Sequence, residues 1–202
     1  MLIVFTGNGK GKTTAALGQA VRTVGRGKNV LMIQFIKGPW KSGEDFVEIV
    51  KKGKAGDPST HSTSTSAMSS VPNGSGQANS GSPTFKLVKM GLGFVGILGD
   101  KLPKEEHAKA AKKALEYAKE QIANNLWHMV ILDEVNVATS IGLLTPQEVL
   151  ETVKDLPPEK FVIFTGRGAP QEFIDRADLV TEMKEIKHPF NDGKLAKIAM
   201  EF

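Results

Sequence analysis

Residues 2–14 read LIVFTGNGKGKTT. Leu2, Ile3 and Val4 form an apolar run that reads as a short buried strand, and it leads straight into a glycine-rich loop. The loop closes on Lys12-Thr13 at the start of a helical stretch. Glycines let a backbone turn its N–H groups inward around an anion. A lysine adds a point charge, a threonine offers a hydroxyl to Mg²⁺, and a helix N-terminus adds a positive dipole end. The spacing departs from the usual one. Four residues normally separate the first glycine from Gly-Lys-Ser/Thr. Counted back from Gly11, that first position is Thr6, and Gly7 leaves a gap of only three. The stretch therefore reads as a phosphate loop, but not as that of an ordinary ATPase.

The rest of the chain is compatible with one α/β domain over residues 1–202. Forty per cent of the residues are hydrophobic, yet no run approaches the ~18 apolar residues of a membrane span. The N-terminal stretch MLIVFTGNGK has no basic region or cleavage site, so we expect no export and a cytoplasmic protein. Cysteine is absent, which excludes disulfides and thiolate metal sites. The net charge of +4 suits an anionic ligand. Lysine and arginine are interspersed with glutamate and form no long basic block, so nucleic acid is not expected as a partner. His61, His107, His128 and His188 lie far apart and lack metal-ligand spacing.

Strand and helix signals alternate. Strands are expected at 2–5, 30–35, 85–88, 129–132, 161–165 and 179–181, with helices at 13–24, 44–51, 104–124, 145–155 and 170–175. The 30–35 run, VLMIQF, is apolar nearly throughout, as a strand covered on both faces should be. In 104–124, Ala108, Ala111, Leu115, Ala118 and Ile122 make one apolar stripe. Thr145-Pro146-Gln147-Glu148 is a capping box with proline at the first helical position. This order predicts a mostly parallel sheet with helices on both faces, and ligands at the carboxyl ends of its strands. Residues 57–84 stand apart: nine serines and four threonines among 28 residues, with Asp57 as the single charge. We read them as a flexible surface insertion rather than a substrate lid.

A second motif is Met129-Val130-Ile131-Leu132-Asp133-Glu134. An apolar strand ending in carboxylates is the usual partner of a phosphate loop, holding Mg²⁺ directly or through water. Taken alone, Asp133 and Glu134 could cap a helix or make a surface turn, and Asn136 could belong to the same turn. A third cluster is Gln34-Phe35-Ile36-Lys37-Gly38-Pro39-Trp40 followed by Gly43-Glu44, on the same rim of the sheet or else simply a basic loop with one aromatic. A fourth is Thr165-Gly166-Arg167-Gly168, either a tight turn or a site where Arg167 meets a phosphate or carboxylate. In Lys187-His188-Pro189-Phe190 the histidine reads as structural. No Ser-His-Asp or Cys-His set can be assembled. The rim offers cations, amides and glycines, which suits positioning of ATP and stabilisation of a leaving polyphosphate while another molecule supplies the nucleophile.

Taken together, TGNGKGKTTAALG, QFIKGPWKSGE, ILDEVNVATSIGLL, TGRGAP, ADLVTEM and KHPF resemble, in that order, the ATP:corrinoid adenosyltransferases of the CobA/CobO/BtuR type. The resemblance spans the chain apart from the serine-rich insertion. It implies a RecA-like P-loop fold, in which the shortened loop is the rule. It implies transfer of the 5′-deoxyadenosyl group of ATP to the Co(I) of a reduced corrinoid, with triphosphate released. Co(I) is itself a strong nucleophile, so no general base is needed. On this resemblance Gly7, Asn8, Gly9, Lys10, Gly11, Lys12, Thr13 and Thr14 hold ATP, its triphosphate running opposite to the usual direction. Lys12, Thr13 and Glu134 serve catalysis, and Thr13, Asp133 and Glu134 hold Mg²⁺. Arg22 and Lys37 are further ATP or substrate contacts, and the corrinoid covers the rim near Trp40, residues 91–100 with Phe94, Asn136 and Arg167. The resemblance also implies a homodimer and a flavodoxin-type reductase as partner. Relatives often have Gly-Phe-Thr-Trp where this chain has Gly93-Phe94-Val95-Gly96, so one aromatic that helps displace the lower cobalt ligand is missing. The end, Ala199-Met200-Glu201-Phe202, stands where relatives have Gly-Ile-Glu and an aromatic residue. The contrasting readings are a P-loop ATPase acting as a switch or motor through Glu134, and a non-enzymatic nucleotide or corrinoid carrier.

Overall fold

The computed structural model describes residues 1–38, 41–51, 84–97, 99–189 and 193. Trp40, nearly all of the serine-rich insertion and the 199–202 end lie outside the described residues.

Six strands form one sheet: β1 (Leu2–Thr6), β2 (Val30–Gln34), β3 (Phe85–Lys89), β4 (Met129–Asp133), β5 (Phe161–Thr165) and β6 (Leu179–Glu182). Their order is β3-β2-β4-β5-β1-β6 and every pairing is parallel. Five helices accompany them: α1 (Lys12–Gly25), α2 (Lys104–Ala123), α3 (Val135–Ser140), α4 (Pro146–Glu151) and α5 (Gln171–Arg176). This is the α/β P-loop architecture expected, with a fully parallel sheet. No helix among the described residues is long and apolar enough to cross a membrane.

Strand alternation explains how both faces are covered. Ile3, Phe5, Met32, Ile131 and Ile163 point to one face, where Ala16, Ala20 and Val24 of α1 pack on them. Leu2, Val4, Leu31, Ile33, Leu132 and Phe164 point to the other. There they meet Ala111, Leu115, Ala118 and Ile122 of α2, together with Val135, Val149 and Phe173 from α3, α4 and α5. Small alanines on α1 and α2 let the helices approach the sheet closely, and aromatic bulk is supplied by edge-to-face packing of Phe164 on Phe173, centroids 5.1 Å apart. The expected capping box opens α4: Thr145 Oγ1 accepts from Glu148 N at 3.2 Å, and Thr145 N donates to Glu148 Oε2 at 2.8 Å.

Two local expectations are corrected. Residues 44–51 do not form a helix: only a 3-10 turn, Gly43–Phe46, forms, and Val50 then makes an antiparallel bridge with Thr84. Ile49 packs on the core while Phe46, Val47 and Val50 stay exposed, too little buried apolar surface to hold a short helix. The 145–155 helix stops at Glu151. Conversely, α3 follows directly on Asp133-Glu134, where a turn was one of the readings.

Candidate active site

Each central strand is apolar until its last residue, and that residue is polar: Thr6 on β1, Gln34 on β2, Asp133 on β4 and Thr165 on β5. Parallel pairing collects these four ends on one rim. Gln34 is in register with Asp133. Thr165 stands beside Asp133 and is paired with Phe5. Thr165 heads the Thr165-Gly166-Arg167-Gly168 cluster but carries no role of its own in the sequence reading, although a polar terminus on the run FVIFT was its signal.

The phosphate loop leaves β1 at this rim and enters α1. Gly7 and Gly11 adopt φ of +93° and +112°, a region open to glycine. Gly7 and Gly9 are also held against the chain after β6: Gly9 N donates to Met183 O at 2.6 Å, and a Cβ on either residue would lie 2.5–2.7 Å from that oxygen. Lys12 is buried and its Nζ donates to Gly7 O at 2.8 Å and Gly9 O at 2.6 Å. Burial, then the charge of Arg167, lowers the Lys12 pKa, while Glu134 works against that shift. Asn8, Lys10 and Thr14 are exposed around the loop.

Asp133 organises the floor. Its Oδ1 accepts from Thr13 Oγ1 at 2.9 Å and Thr165 Oγ1 at 2.7 Å, and its Oδ2 accepts from Gln34 Nε2 at 3.1 Å. The carboxylate is fully buried and its oxygens are engaged on both sides. Glu134 differs. It sits at φ +63°, the single non-glycine residue with positive φ among the described residues, and its N–H donates to Thr165 Oγ1 at 3.0 Å. A non-glycine residue held there is strained, and such strain gathers at functional sites. Burial pushes its carboxyl up to about 7, and the neighbouring Asp133 charge adds to this. Lys12, Lys37 and Arg167 act in the opposite direction. Gly166, φ +128°, is packed beneath it: a Cβ there would lie 3.0 Å from Glu134 Oε2 and from Val137 N.

Further along the rim, Lys37 forms an ion pair with Glu44. Burial alone would raise the Glu44 pKa, but the Lys37 ammonium holds it at about 2. Gly38 packs on the backbone of Gly93, whose N–H donates to Ile36 O at 3.0 Å, so the turn carrying Phe94 is docked on the loop after β2. Phe94 is 40% exposed, and Arg167 is also exposed.

The structure thus brings Lys12, Thr13, Asp133 and Glu134 together, with Lys37 and Arg167 near enough to act on Glu134 through their charges. It does not bring Arg22 to them. Arg22 lies in the last turn of α1, ten residues beyond Lys12 and so roughly 15 Å along the helix axis. Asn136 is fully buried, and its Nδ2 donates to Phe5 O at 3.2 Å and Gly166 O at 3.1 Å, tying β1 to the turn after β5.

The whole chain, residues 1–202, matches the family described as ATP:corrinoid adenosyltransferase BtuR/CobO/CobP. The chain belongs to the ATP:corrinoid adenosyltransferase family. Curated relatives agree. A corrinoid adenosyltransferase of Escherichia coli (strain K12) is 32% identical over 203 residues, covering 100% of this chain and 85% of that protein. Corrinoid adenosyltransferase CobA of Salmonella typhimurium is also 32% identical with the same coverage. One from a Sinorhizobium species is 34% identical, covering 100% of this chain and 80% of that protein. The chain is accordingly an enzyme, a corrinoid adenosyltransferase with ATP and a corrinoid as its substrates, and the phosphate loop and acidic strand end lie within the family's match.

Proposed function

We propose that the phosphate-loop rim transfers the 5′-deoxyadenosyl group of ATP to the Co(I) of a corrinoid such as cobalamin, cobinamide or cobyrinic acid diamide. In this reading one domain binds both substrates. The observation that carries it is the convergence of Lys12 and Thr13 on Asp133 and Glu134 at a rim that holds no base–nucleophile pair among the described residues. The cobalt electron pair forms the Co–C5′ bond, the C5′–O5′ bond breaks, and its electrons leave with triphosphate. The protein's task is to orient C5′ and to stabilise the departing charge.

Each residue has a part in that task. Loop N–H groups between Asn8 and Thr13, apart from that of Gly9, and the α1 N-terminus face the triphosphate. Lys12 exchanges its bonds to Gly7 O and Gly9 O for phosphate oxygens. Arg167 and Lys37 add positive charge from the rim. Gly11 leaves room for the backbone to approach the ligand, while Gly7 and Gly9 let the loop pack on the chain after β6.

The donor set also fits Mg²⁺. Mg²⁺ binds through one or two protein oxygens plus phosphates and water, so the absence of a three-ligand cluster among the described residues does not count against it. Two adjacent carboxylates, one with its pKa pushed up by burial and by the charge of the other, provide the negative field such a cation neutralises. Thr13 Oγ1 and Glu134 are the open ligands. Asp133, buried and bonded to three side chains, holds Thr13 in place and acts through it or through water. When bound, Mg²⁺ supplies charge neutralisation of the triphosphate.

We further propose a homodimer in the cytoplasm, served by a flavodoxin-type reductase that delivers the corrinoid as Co(I). The test is anaerobic incubation of the protein with Mg-ATP and chemically reduced cobalamin, following the corrinoid spectrum and the phosphate products. Adenosylated corrinoid with triphosphate supports the reading. ADP and orthophosphate formed without any corrinoid would replace it with a P-loop ATPase acting as a switch or motor, and binding without turnover would replace it with a carrier.

A further inference from the structure

Gln34 ends β2 and is fully buried. Its Nε2 donates to Asp133 Oδ2 and to Glu44 Oε1, each at 3.1 Å. Its backbone oxygen accepts from Met90 N at 3.0 Å and Gly91 N at 3.1 Å. Asp133 is bonded to Thr13 of the phosphate loop, and Glu44 is paired with Lys37. Gly91 opens the turn that carries Phe94. One residue therefore grips the floor of the nucleotide site, the loop bearing Lys37 and the turn bearing Phe94.

Gln34 does this at a cost. Its Oε1 is buried and accepts no hydrogen bond from the described residues. An unfilled buried acceptor is unfavourable, and a methionine or leucine would avoid it. What the amide supplies in return is two N–H bonds to two different carboxylates. A neutral donor can stand between Asp133 and Glu44, where a third carboxylate would be repelled by both.

We propose that Gln34 is a positioning residue that couples the phosphate loop to the Lys37–Glu44 loop, so that Mg-ATP improves the site for the corrinoid. This rests on the reading of the rim as an ATP and corrinoid site. Thr13 must share or release Asp133 Oδ1 when a cation and triphosphate arrive. Asp133 Oδ2 is held by the same amide nitrogen that holds Glu44, so a shift at Thr13 reaches Glu44 through three hydrogen bonds. The Gln34 carbonyl carries the same shift to Gly91.

The test measures binding of cob(II)alamin, with no reductant and hence no transfer, in the presence and absence of Mg-ATP. In the unaltered protein Mg-ATP tightens cob(II)alamin binding at least about fivefold. Gln34→Met keeps the volume and removes both donors. It lowers that ratio to below about twofold while the affinity for Mg-ATP alone falls less than about threefold. Glu44→Gln, nearer the surface, keeps the fold if Gln34→Met does not, and it also lowers the ratio, because it removes the Lys37 ion pair. An unaltered protein with no coupling, or a folded variant with the original ratio, overturns the proposal. Parallel transfer assays keep the two readings apart: an unaltered protein that does not adenosylate reduced cobalamin refutes the functional reading, whereas transfer with coupling intact in the variants refutes the role of Gln34 alone.

Discussion

Thr13 Oγ1 donates to Asp133 Oδ1 at 2.9 Å, joining the first turn of α1 to the end of β4 across 120 positions of sequence. The bond aims the hydroxyl that the phosphate loop contributes at the acidic strand end, and it presets the oxygen that a cation would use. Asp133 is in turn fixed by Thr165 and Gln34. The proposed nucleotide site is thus preorganised by a buried carboxylate whose own lone pairs are largely taken.

Lys12→Ala removes the one buried ammonium in the loop. Transfer should fall by at least about a hundredfold, a loss expected when a charge stabilising a leaving group is deleted. Gly7 O and Gly9 O lose a shared donor, which costs roughly 1–3 kcal/mol, so a melting-point drop of several degrees accompanies an unchanged far-ultraviolet circular dichroism spectrum. Near-normal transfer by this variant would refute the role assigned to the loop.

Glu134 makes the ligand-free protein pH-sensitive. Its folded pKa of about 7 lies above the ordinary glutamate value of 4.5, so between these values the folded state binds more protons than the unfolded one. Its contribution to stability is therefore complete below the lower value and declines as pH rises towards 7. Glu134→Gln should flatten that part of the stability–pH curve, measured by urea unfolding from pH 4.5 to 8. In the proposed metal role of Glu134, Mg²⁺ competes with the same proton, so transfer should need less Mg²⁺ at pH 8 than at pH 6 in the unaltered enzyme. An unchanged Mg²⁺ requirement over that range would remove Glu134 from the metal site.

Gly166→Ala tests the packing beneath Glu134. The new methyl meets Glu134 Oε2 and Val137 N at 3.0 Å and must adopt φ +128°. A loss of roughly 1–3 kcal/mol in stability is expected, with transfer reduced about tenfold or more because Glu134 is displaced. Gly168→Ala, at φ +64° with Ser140 Cβ at 3.2 Å, should be milder in both measurements.

Asp100 tests the corrinoid side by itself. Its carboxylate accepts from Gly96 N at 2.9 Å and Leu102 N at 3.1 Å, and His107 Nε2, buried on α2, lies 3.0 Å away. Asp100→Ala should release the turn after Phe94 and raise KM for the corrinoid several-fold while KM for ATP stays within about twofold. Equal changes in both constants would show that the turn does not belong to one substrate.

Much of this was legible in the linear chain because it depends on neighbours. Alternating strand and helix signals, the loop at Gly7–Thr13 and the polar ends of otherwise apolar strands are short-range patterns, and burial on both faces dictates them. The failure at 44–51 has an equally definite cause. Glu44 and Asp45 are drawn to Lys37 and Lys89, and Ser42 N donates to Asp45 Oδ2 at 2.7 Å, so local polar bonds outcompete a helix in which Ile49 alone would reach the core.

Residue types and their spacing were enough to specify a phosphate loop, an acidic strand end and a parallel α/β sheet, since each is encoded within a few positions. Which side chains meet was settled by the strand order β3-β2-β4-β5-β1-β6. That order sets β5 between β1 and β4, putting Thr165 beside Asp133, and sets β2 beside β4, putting Gln34 there as well. Strand order comes from packing two helical layers on one sheet, a non-local balance of buried area and loop closure that no short stretch of residues contains.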